Sequence, residues 1–528
     1  MKRTLIVLMA AAIPAAAALF PVAAGAVTLD SRPSTGAPIC APGPVSAPAG
    51  TKVESIVAVP NAGGTITFPS NPPFPDTPPI SGVPAFCDVN VTVTHPGAND
   101  HVTIKLLLPQ DPKQWNGRFQ GTGGSAFLAG YTSDPSVPLI SALKSGYAGA
   151  ATDAGVGANP LSAAWGLTAD GRTDTGLLTN FATRSIHDMA VIGKDFTHKF
   201  YERAVRYSYF TGCSTGGRQG YAEAQNFPND FQGILANAPA IEWNRFEIAT
   251  LWSQAVFHSD KVAPSACEMN EFTKAAVAAC DSLDGSSDGV IDNPQDCKWD
   301  ARSLVGKKVV CAGQETTISR ALASAVNKIW AGPVTLSGRK LWYGQSKGSD
   351  FGSIAAAGTP FLVPDQWAKY FVTRNPSFDA TKLTYASFER LFTSATQQFD
   401  RAIGTNDPDL STFAKAGGKL LTWHGQADQL IPTQGTVDYR KRVNAELGGN
   451  KRVDDFYRLF LLPGVDHCGS PAFSTGGLVN PGADLTALVN WVEKGQAPAT
   501  LPTTTAAGAT EDVCRYPTVN RNNRCIHA

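Results

Sequence analysis

The feature that most constrains this chain is a pentapeptide, Gly212-Cys213-Ser214-Thr215-Gly216. It follows a short apolar segment, Tyr207–Thr211, that is typical of a buried strand, and a helical pattern begins directly after it. A G-x-S-x-G sequence between a strand and a helix predicts a tight turn that lifts the serine hydroxyl above the edge of a sheet. The pentapeptide alone also fits an ordinary Gly- and Ser-rich turn, so the rest of the chain decides between the two interpretations.

Strand and helix patterns alternate on both sides of this turn. Apolar runs and alternation predict strands at 91–94, 101–108, 146–153, 231–236, 419–425 and 458–462, and helical spacing predicts helices at 185–201 and 485–493. Such alternation implies a mostly parallel sheet. The pattern is lost between residues 241 and 405. We therefore predict an α/β-hydrolase fold, with a catalytic domain made of 27–240 and 406–528 and an inserted lid domain, 241–405.

The first 26 residues have the pattern of a secretory signal peptide. Lys2 and Arg3 precede an apolar stretch, Leu5–Leu19, and Ala24-Gly25-Ala26 is a small-residue cleavage site. A transmembrane anchor is the alternative, but Pro14 interrupts the apolar stretch and the cleavage site follows at once. No other segment reaches the ~18 apolar residues that span a bilayer. We expect a secreted or periplasmic protein with no membrane contact after signal removal.

Charge and cysteine content exclude several classes of function. Lys+Arg and Asp+Glu are both 44, so the formal net charge is zero, which does not favour nucleic acid or an anionic membrane as a partner. The ten cysteines include no C-x-x-C pair, so the sequence predicts disulfides rather than structural zinc. We expect no organic cofactor.

The partners of a nucleophilic serine are sought later in the chain, since the acid and the base follow it in this fold. Asp428 leaves the strand at 419–425 through a Gly turn, and His467 lies on the loop after the strand that ends at Leu462. Of the eight histidines only His467 fits, and His424 at a strand end is predicted to be structural. Asp466 is the alternative acid, but a hydrogen bond from its position to the adjacent imidazole would be strained.

These residues predict a two-step acyl transfer. His467 takes the proton of Ser214 as its oxygen attacks a carbonyl, and Asp428 orients the imidazole. The tetrahedral oxyanion needs preorganised donors. We expect the backbone N–H of Thr215 to be one, and that of Gly123 or Gly124 to be the second, unless this glycine-rich segment is a plain turn.

Cysteines stand beside both predicted reacting residues. Cys213 precedes Ser214 and Cys468 follows His467, so a hydrogen bond between Ser214 and His467 would bring the two cysteines within disulfide reach. This arrangement resembles the tannase and feruloyl esterase family, which includes the mono(2-hydroxyethyl) terephthalate hydrolases. The motifs that match are 212–217, 424–432 and 466–468.

The resemblance implies a Cys213–Cys468 disulfide and a serine esterase that acts on esters of aromatic acids. Galloyl, feruloyl or chlorogenic esters and the terephthalate monoester are the substrate types of the family. It also implies an aromatic acyl pocket between core and lid, for which the lid offers Trp342, Tyr343, Trp367, Tyr370, Phe371 and Phe388, although we expect most of these to belong to the core of the lid. The rival hypotheses are a general carboxylesterase and a non-catalytic, calcium-dependent binding protein on a hydrolase scaffold; the intact triad argues against the latter.

An acidic, Gly-rich loop, 281–292, predicts a calcium site. Counted from Asp284, oxygen ligands stand at positions 1, 3 and 5 and Gly at position 6, as in an EF-hand loop. Position 12 is Gln295, so the bidentate carboxylate is missing there, and Asp281 can replace its charge. The resemblance implies structural Ca²⁺ with these ligands: the side chains of Asp281, Asp284 and Asp288 and the backbone oxygens of Ser286 and Val290. The alternative is a solvated acidic turn.

The remaining cysteines are predicted to form pairs. Cys280 and Cys297 flank the acidic loop, so we expect a disulfide across it. The other predicted pairs are Cys40–Cys87, Cys267–Cys311 and Cys514–Cys525.

Overall fold

Strands and helices alternate along most of the chain, which is described here by a computed structural model over residues 39–69, 76–132, 135–469, 482–504, 510–521 and 524–527. All of these residues belong to one compact unit, 38–528. The predicted signal peptide lies outside them. The strands are β1 (Lys52–Asn61), β2 (Gly64–Ile66), β3 (Ile80–Val83), β4 (Phe86–Thr94), β5 (Val102–Pro109), β6 (Arg118–Thr122), β7 (Ala148–Thr152), β8 (Tyr207–Cys213), β9 (Gly233–Asn237), β10 (Lys308–Cys311), β11 (Gln314–Thr317), β12 (Lys419–Gly425), β13 (Tyr457–Leu462), β14 (Thr500–Thr504), β15 (Thr510–Cys514), β16 (Thr518–Arg521) and β17 (Arg524–His527).

The helices lie between these strands. They are α1 (Val137–Lys144), α2 (Thr175–Thr179), α3 (Ser185–Tyr201), α4 (Thr215–Asn226), α5 (Trp243–Thr250), α6 (Trp252–Asp260), α7 (Ala266–Cys280), α8 (Arg320–Ala331), α9 (Leu362–Trp367), α10 (Tyr385–Ile403), α11 (Ser411–Lys415), α12 (Thr433–Leu447), α13 (Asn450–Val453) and α14 (Asp484–Lys494). Two π-helical turns, Asn180–Arg184 and Ala368–Val372, follow α2 and α9. In the described part of the chain no helix is long and apolar enough to cross a bilayer.

Nine strands form one sheet in the order β1-β4-β5-β7-β6-β8-β9-β12-β13. The pairs β1/β4, β4/β5 and β5/β7 are antiparallel, and every further pair is parallel. The parallel part brings the carboxyl ends of β8, β12 and β13 to the same edge of the sheet. Since ligands bind at this edge in open α/β sheets, the loops after these strands are where a site is expected.

The burial pattern of each strand agrees with its place in the sheet. Six of the seven residues of β12 are buried, which is typical of a parallel strand covered on both faces. β4 alternates buried and half-buried residues, as an antiparallel strand with one exposed face does. The predicted bounds of β12 and α3 match those observed, whereas β6 was not predicted.

The segment between β9 and β12 adds no strand to the large sheet, which runs from β9 directly to β12. Residues 241–405 form α5–α10 and a separate β10–β11 hairpin. Their apolar cluster, which includes Trp243, Trp367 and Phe388, continues into residues of 127–182. The two ends of this segment meet, because the N–H of Glu242 donates to the carbonyl of Gly404 at 2.8 Å. We call residues 241–405 the insertion; its role as a lid domain stays a prediction.

Candidate active site

Ser214 lies in the turn between β8 and α4 with φ 63° and ψ −124°. A non-glycine residue at this φ is strained, and such strain, about 1–3 kcal/mol, persists only where the surroundings enforce it. The neighbouring glycines do so by close approach: a Cβ on Gly212 would lie 2.4 Å from the Gly216 carbonyl carbon, and one on Gly217 2.4 Å from the Asn237 oxygen. The predicted sharp strand–turn–helix around Ser214 is therefore present.

Asp428 and His467 are in contact. Oδ2 of Asp428 lies 2.9 Å from Nδ1 of His467, and the other oxygen accepts the backbone N–H groups of Leu430 and Ile431 at 2.9 and 2.8 Å. Burial by itself raises the pKa of Asp428, but the charge of His467 and the hydrogen bonds from His424 and His467 outweigh it. The pKa therefore lies well below its ordinary value, and the carboxylate is ionised beside the imidazole.

His424 shares the same carboxylate oxygen, which the sequence did not reveal. Its Nε2 lies 3.0 Å from Oδ2 of Asp428, and its Nδ1 lies 2.9 Å from Oγ1 of Thr436. The Thr436 hydroxyl can donate to Nδ1, which leaves Nε2–H to donate to Asp428. The position of His424 four residues before Asp428 was the only available signal.

A disulfide joins the nucleophile turn to the histidine loop. Cys213 and Cys468 are bonded, with their α-carbons 6.0 Å apart across 255 residues of chain. Ser214 and His467 are thus the immediate neighbours of two linked residues. Among the described residues the Ser214 hydroxyl has no hydrogen-bond partner. Contacts between nucleophile and base are often loose in unliganded enzymes and tighten with substrate.

The predicted oxyanion donors differ in availability. The Thr215 N–H donates to none of the described residues. The Gly123 N–H donates to the carbonyl of Thr211 at 2.9 Å, and the Gly124 N–H to Oε1 of Gln219 at 3.0 Å. Thr215 is free for a ligand, and either glycine would have to exchange its present acceptor. The role of these glycines stays a prediction.

Asp466, the alternative acid, does not contact the imidazole. Both its carboxyl oxygens are buried without a hydrogen-bond partner in the described part of the chain. Burial, and then the charges of Asp428 and Asp350, raise the pKa of Asp466 to about 8. A carboxyl that holds its proton at neutral pH and lies away from Nδ1 cannot orient His467, so the geometry favours Asp428.

The acidic loop folds onto its own backbone. Oδ1 of Asp281 accepts the N–H groups of Asp288 and Gly289 at 3.2 and 3.1 Å, and Oδ1 of Asp284 accepts that of Ser286 at 2.7 Å. Within the described residues no three His, Cys, Asp or Glu side chains converge closely enough to hold a metal ion.

The charge of this loop is nevertheless concentrated. Burial, and then the charges of Asp284 and Asp288, raise the pKa of Asp292 to about 7. Carboxylates and backbone carbonyls are the donors that Ca²⁺ takes, so the donor set fits this ion although the side chains are not gathered around one point. Asp292 is an acidic neighbour that the predicted ligand set did not include.

All five predicted disulfides are present. Besides Cys213–Cys468 they are Cys40–Cys87, Cys267–Cys311, Cys280–Cys297 and Cys514–Cys525. The Cys280–Cys297 bond closes the acidic loop, as expected. Three of the six aromatic residues offered for an acyl pocket are fully buried in an apolar cluster shared with residues of 127–182, Trp342 is nearly so, and Tyr343 and Tyr370 keep partial exposure. The fully buried ones are Trp367, Phe371 and Phe388.

Sequence comparison finds close relatives over most of the chain. The sequence model of a family described as "Tannase and feruloyl esterase" matches residues 87–523. A probable feruloyl esterase of Arthroderma benhamiae is 44% identical, over 89% of this chain and 88% of the relative. Feruloyl esterase B of Aspergillus niger is 32% identical, over 78% of this chain and 79% of the relative.

Solved structures show the same architecture. A tannin acyl hydrolase from Aspergillus niger superposes with a TM-score of 0.80 at 26% identity, over 91% of this chain and 92% of that one. Feruloyl esterase B from Aspergillus oryzae superposes with a TM-score of 0.75 at 28% identity, over 90% and 97%. The fold therefore has solved counterparts along nearly its whole length.

Proposed function

The chain belongs to the tannase and feruloyl esterase family and is a carboxylic ester hydrolase, and from that premise we propose that it is an exported serine esterase that cleaves esters of aromatic acids through an acyl-enzyme on Ser214. The observation that carries the proposal is the 2.9 Å contact of Asp428 with His467, on a loop bonded through Cys213–Cys468 to the turn that holds Ser214. One hydroxyl, one carboxylate and one imidazole, in this chain order, are the parts that acyl transfer needs.

The reaction proceeds in two steps. Oγ of Ser214 attacks the ester carbonyl while Nε2 of His467 takes its proton, and the imidazolium gives that proton to the leaving alcohol. Water then attacks the acyl-enzyme, loses a proton to His467, and releases the aromatic acid while Ser214 regains its hydrogen. The ionised Asp428 holds the imidazole in one tautomer and stabilises its charged form. The Thr215 N–H, at the positive end of α4, donates to the oxyanion.

The test compares the wild type with Ser214→Ala on methyl ferulate, methyl gallate, mono(2-hydroxyethyl) terephthalate and p-nitrophenyl acetate. We expect kcat/KM to be highest for an aromatic acid, and turnover of every ester to disappear in the variant. A fluorophosphonate should label only the peptide that contains Ser214. Ser253→Ala, which changes another buried serine, is the control and should retain activity. Undiminished turnover by Ser214→Ala refutes the mechanism, and fastest turnover of the acetate refutes the aromatic preference.

We also propose that the loop at 281–292 binds a structural Ca²⁺. The support is the hard-oxygen donor set and the crowding of Asp281, Asp284, Asp288 and Asp292 in a loop closed by a disulfide. The ion would neutralise the repulsion among these carboxylates and would take no part in ester cleavage.

Export is the third part of the proposal. Five disulfides need an oxidising compartment, which agrees with a signal peptide cleaved after Ala26. N-terminal sequencing of the exported protein should begin at Val27, and a mature protein that retains Met1 would contradict the cleavage.

A further inference from the structure

Arg218 is a buried cation on the helix that begins at the nucleophile. It stands four residues after Ser214, and its backbone N–H donates to the Ser214 carbonyl at 3.0 Å. Its side chain is 0% exposed. Burial lowers the pKa of the guanidinium to about 9, so the group is charged at neutral pH. None of its described hydrogen bonds is to a carboxylate.

The guanidinium instead donates to two consecutive backbone carbonyls. The bonds run to Phe181 O at 2.8 Å and to Ala182 O at 2.7 Å, both in the π-helical turn Asn180–Arg184. A π-helical turn replaces i→i+4 hydrogen bonds with i→i+5 ones, and its carbonyls do not all find partners inside the helix. The planar fork of an arginine matches two adjacent acceptors, which a lysine cannot do.

The π-helical turn is anchored from its other side. Asn180, its first residue, donates to Oδ2 of Asp100 at 2.6 Å, and Nδ1 of His95 lies 2.6 Å from the same oxygen. His95 follows the end of β4, and both His95 and Asp100 are buried. Arg218 therefore links the nucleophile helix to a turn that is itself tied to the loop between β4 and β5.

The same guanidinium contacts both ends of the insertion. Its carbon lies 5.3 Å from the ring centre of Phe181 and 5.7 Å from that of Trp243, the first residue of α5. An amino group lies 3.5 Å from Oγ1 of Thr405, where the insertion ends. Cation–π contacts are strongest where water is excluded, as here. Three parts of the chain thus meet at one side chain.

A charge in this position is costly to the fold. An arginine without a counter-ion loses its hydration on burial, whereas an apolar side chain of the same size would fill the space at no such cost. The arginine makes directional contacts instead: two carbonyl acceptors and two ring faces fix the position of its side chain. Through the backbone of α4, these contacts also fix the position of Ser214.

We propose that Arg218 is a positioning residue of the esterase. It holds the nucleophile turn against the π-helical turn and against the two ends of the insertion, so that Ser214 meets His467. The proposal rests on the role of Ser214 given above. We call the contacts of Arg218 with these two turns and with the ends of the insertion the clamp. A misplacement of the nucleophile by about 1 Å can cost about 10²-fold in rate, so loss of the clamp should lower kcat and leave substrate binding nearly unchanged.

Two substitutions test the clamp. Arg218→Lys keeps the charge and loses the two-carbonyl fork, and Arg218→Met keeps the bulk and loses both. In each we expect kcat for methyl ferulate to fall about 10²-fold with KM changed less than about threefold, and the rate of fluorophosphonate labelling of Ser214 to fall in parallel. Arg440→Lys is the matched control, since Arg440 is equally buried but binds Asp454 away from Ser214. It should keep its labelling rate.

A wild-type labelling rate in folded Arg218→Lys and Arg218→Met, judged by a cooperative thermal transition, overturns the proposal. If neither Arg218 variant folds, Asn180→Ala tests the proposal instead. It removes the hydrogen bond that anchors the π-helical turn to Asp100 and leaves Arg218 unchanged. Lower kcat at constant KM in that variant supports the clamp, and unchanged kcat refutes it. A failure of the serine mechanism is recognised separately, since Ser214 would then not be labelled even in the wild type.

Discussion

At the scale of single residues, Asp428 is the most constrained group of the site. One of its oxygens accepts two backbone N–H groups, and the other faces His467 and His424. An ionised carboxylate can use about four acceptor positions, and here all are engaged. The carboxylate is therefore both charged and immobile, which a residue that orients a base must be.

Asp428→Asn should lower kcat for methyl ferulate by about 10³–10⁴-fold, since an amide cannot accept from both imidazoles and from the two backbone N–H groups at once, and its reorientation disturbs the tautomer of His467. The measurement is kcat at pH 7.5 with the thermal transition as a check of folding. Asp466→Asn is the matched control: it changes the neighbouring buried carboxyl, and kcat should stay within about threefold of wild type. Equal losses in the two variants would make Asp466 a partner of His467 and contradict the assignment.

Asp466 also predicts a pH dependence of stability. Its pKa is raised from 3.8 to about 8, so between these values the folded protein holds a proton that the unfolded chain has lost. The free energy of unfolding therefore falls as pH rises from about 4 to about 8. Asp466→Asn lacks this term. Its melting temperature relative to wild type should be higher at pH 8.5 than at pH 5, and a difference independent of pH would show that Asp466 is ionised in the fold.

At the scale of secondary-structure elements, the apolar pattern of the sequence predicted the strands and helices that the buried core stabilises. β12 and α3 were found within their expected bounds because a run of apolar residues and a 3.6-residue period are local properties. β6 was missed, since Arg118-Phe119-Gln120-Gly121-Thr122 has neither a run nor an alternation and is a strand only because β7 and β8 pair with it. The contact of His424 with Asp428 was missed for a similar reason: it depends on how the chain turns after β12.

The Cys213–Cys468 bond holds two elements together at the site. Replacing both cysteines by serine removes a cross-link over 255 residues, worth about 5 kcal/mol in the chain-entropy model, and frees the His467 loop from the nucleophile turn. We expect a lower melting temperature and, at temperatures where the variant is folded, at least about tenfold lower kcat.

The matched control is the double serine variant of Cys267 and Cys311, a pair within the insertion. It should lose stability and keep kcat. Full activity of a folded variant without Cys213 and Cys468 would leave that bond with a purely stabilising role.

At the scale of the whole molecule, the two ends of the insertion meet, and its apolar cluster continues into residues of 127–182. Glu242 and Gly404 are hydrogen-bonded where it begins and ends, and the Glu242 carboxylate pairs with Arg245 and with Arg442 of α12. A long insertion whose ends already meet imposes little extra closure entropy on the domain that carries it. The insertion can therefore be long at little entropic cost, while its buried core is shared with residues of 127–182.

The position of the acidic loop predicts how metal removal acts. If Ca²⁺ occupies the loop at 281–292, chelation should destabilise the insertion and spare the chemistry, because none of the loop carboxylates contacts the triad residues. A ligand at 100 times its Kd stabilises a fold by about 2.7 kcal/mol, so EDTA should lower the melting temperature by about 3–6 °C. At 25 °C, kcat for methyl ferulate should stay within about twofold.

Asp284→Asn, which removes one proposed ligand, should melt at the temperature of the chelated wild type and respond neither to EDTA nor to added Ca²⁺. Asp379→Asn is the control, since it changes an exposed aspartate of the same insertion that lies outside the acidic loop. Asp379 caps the single 3₁₀ turn Ala380–Lys382, and asparagine serves that cap as well. It should respond to EDTA as the wild type does. A wild-type melting temperature that EDTA does not change, or an equal response to EDTA in Asp284→Asn, would show that the carboxylates of this loop hold no ion.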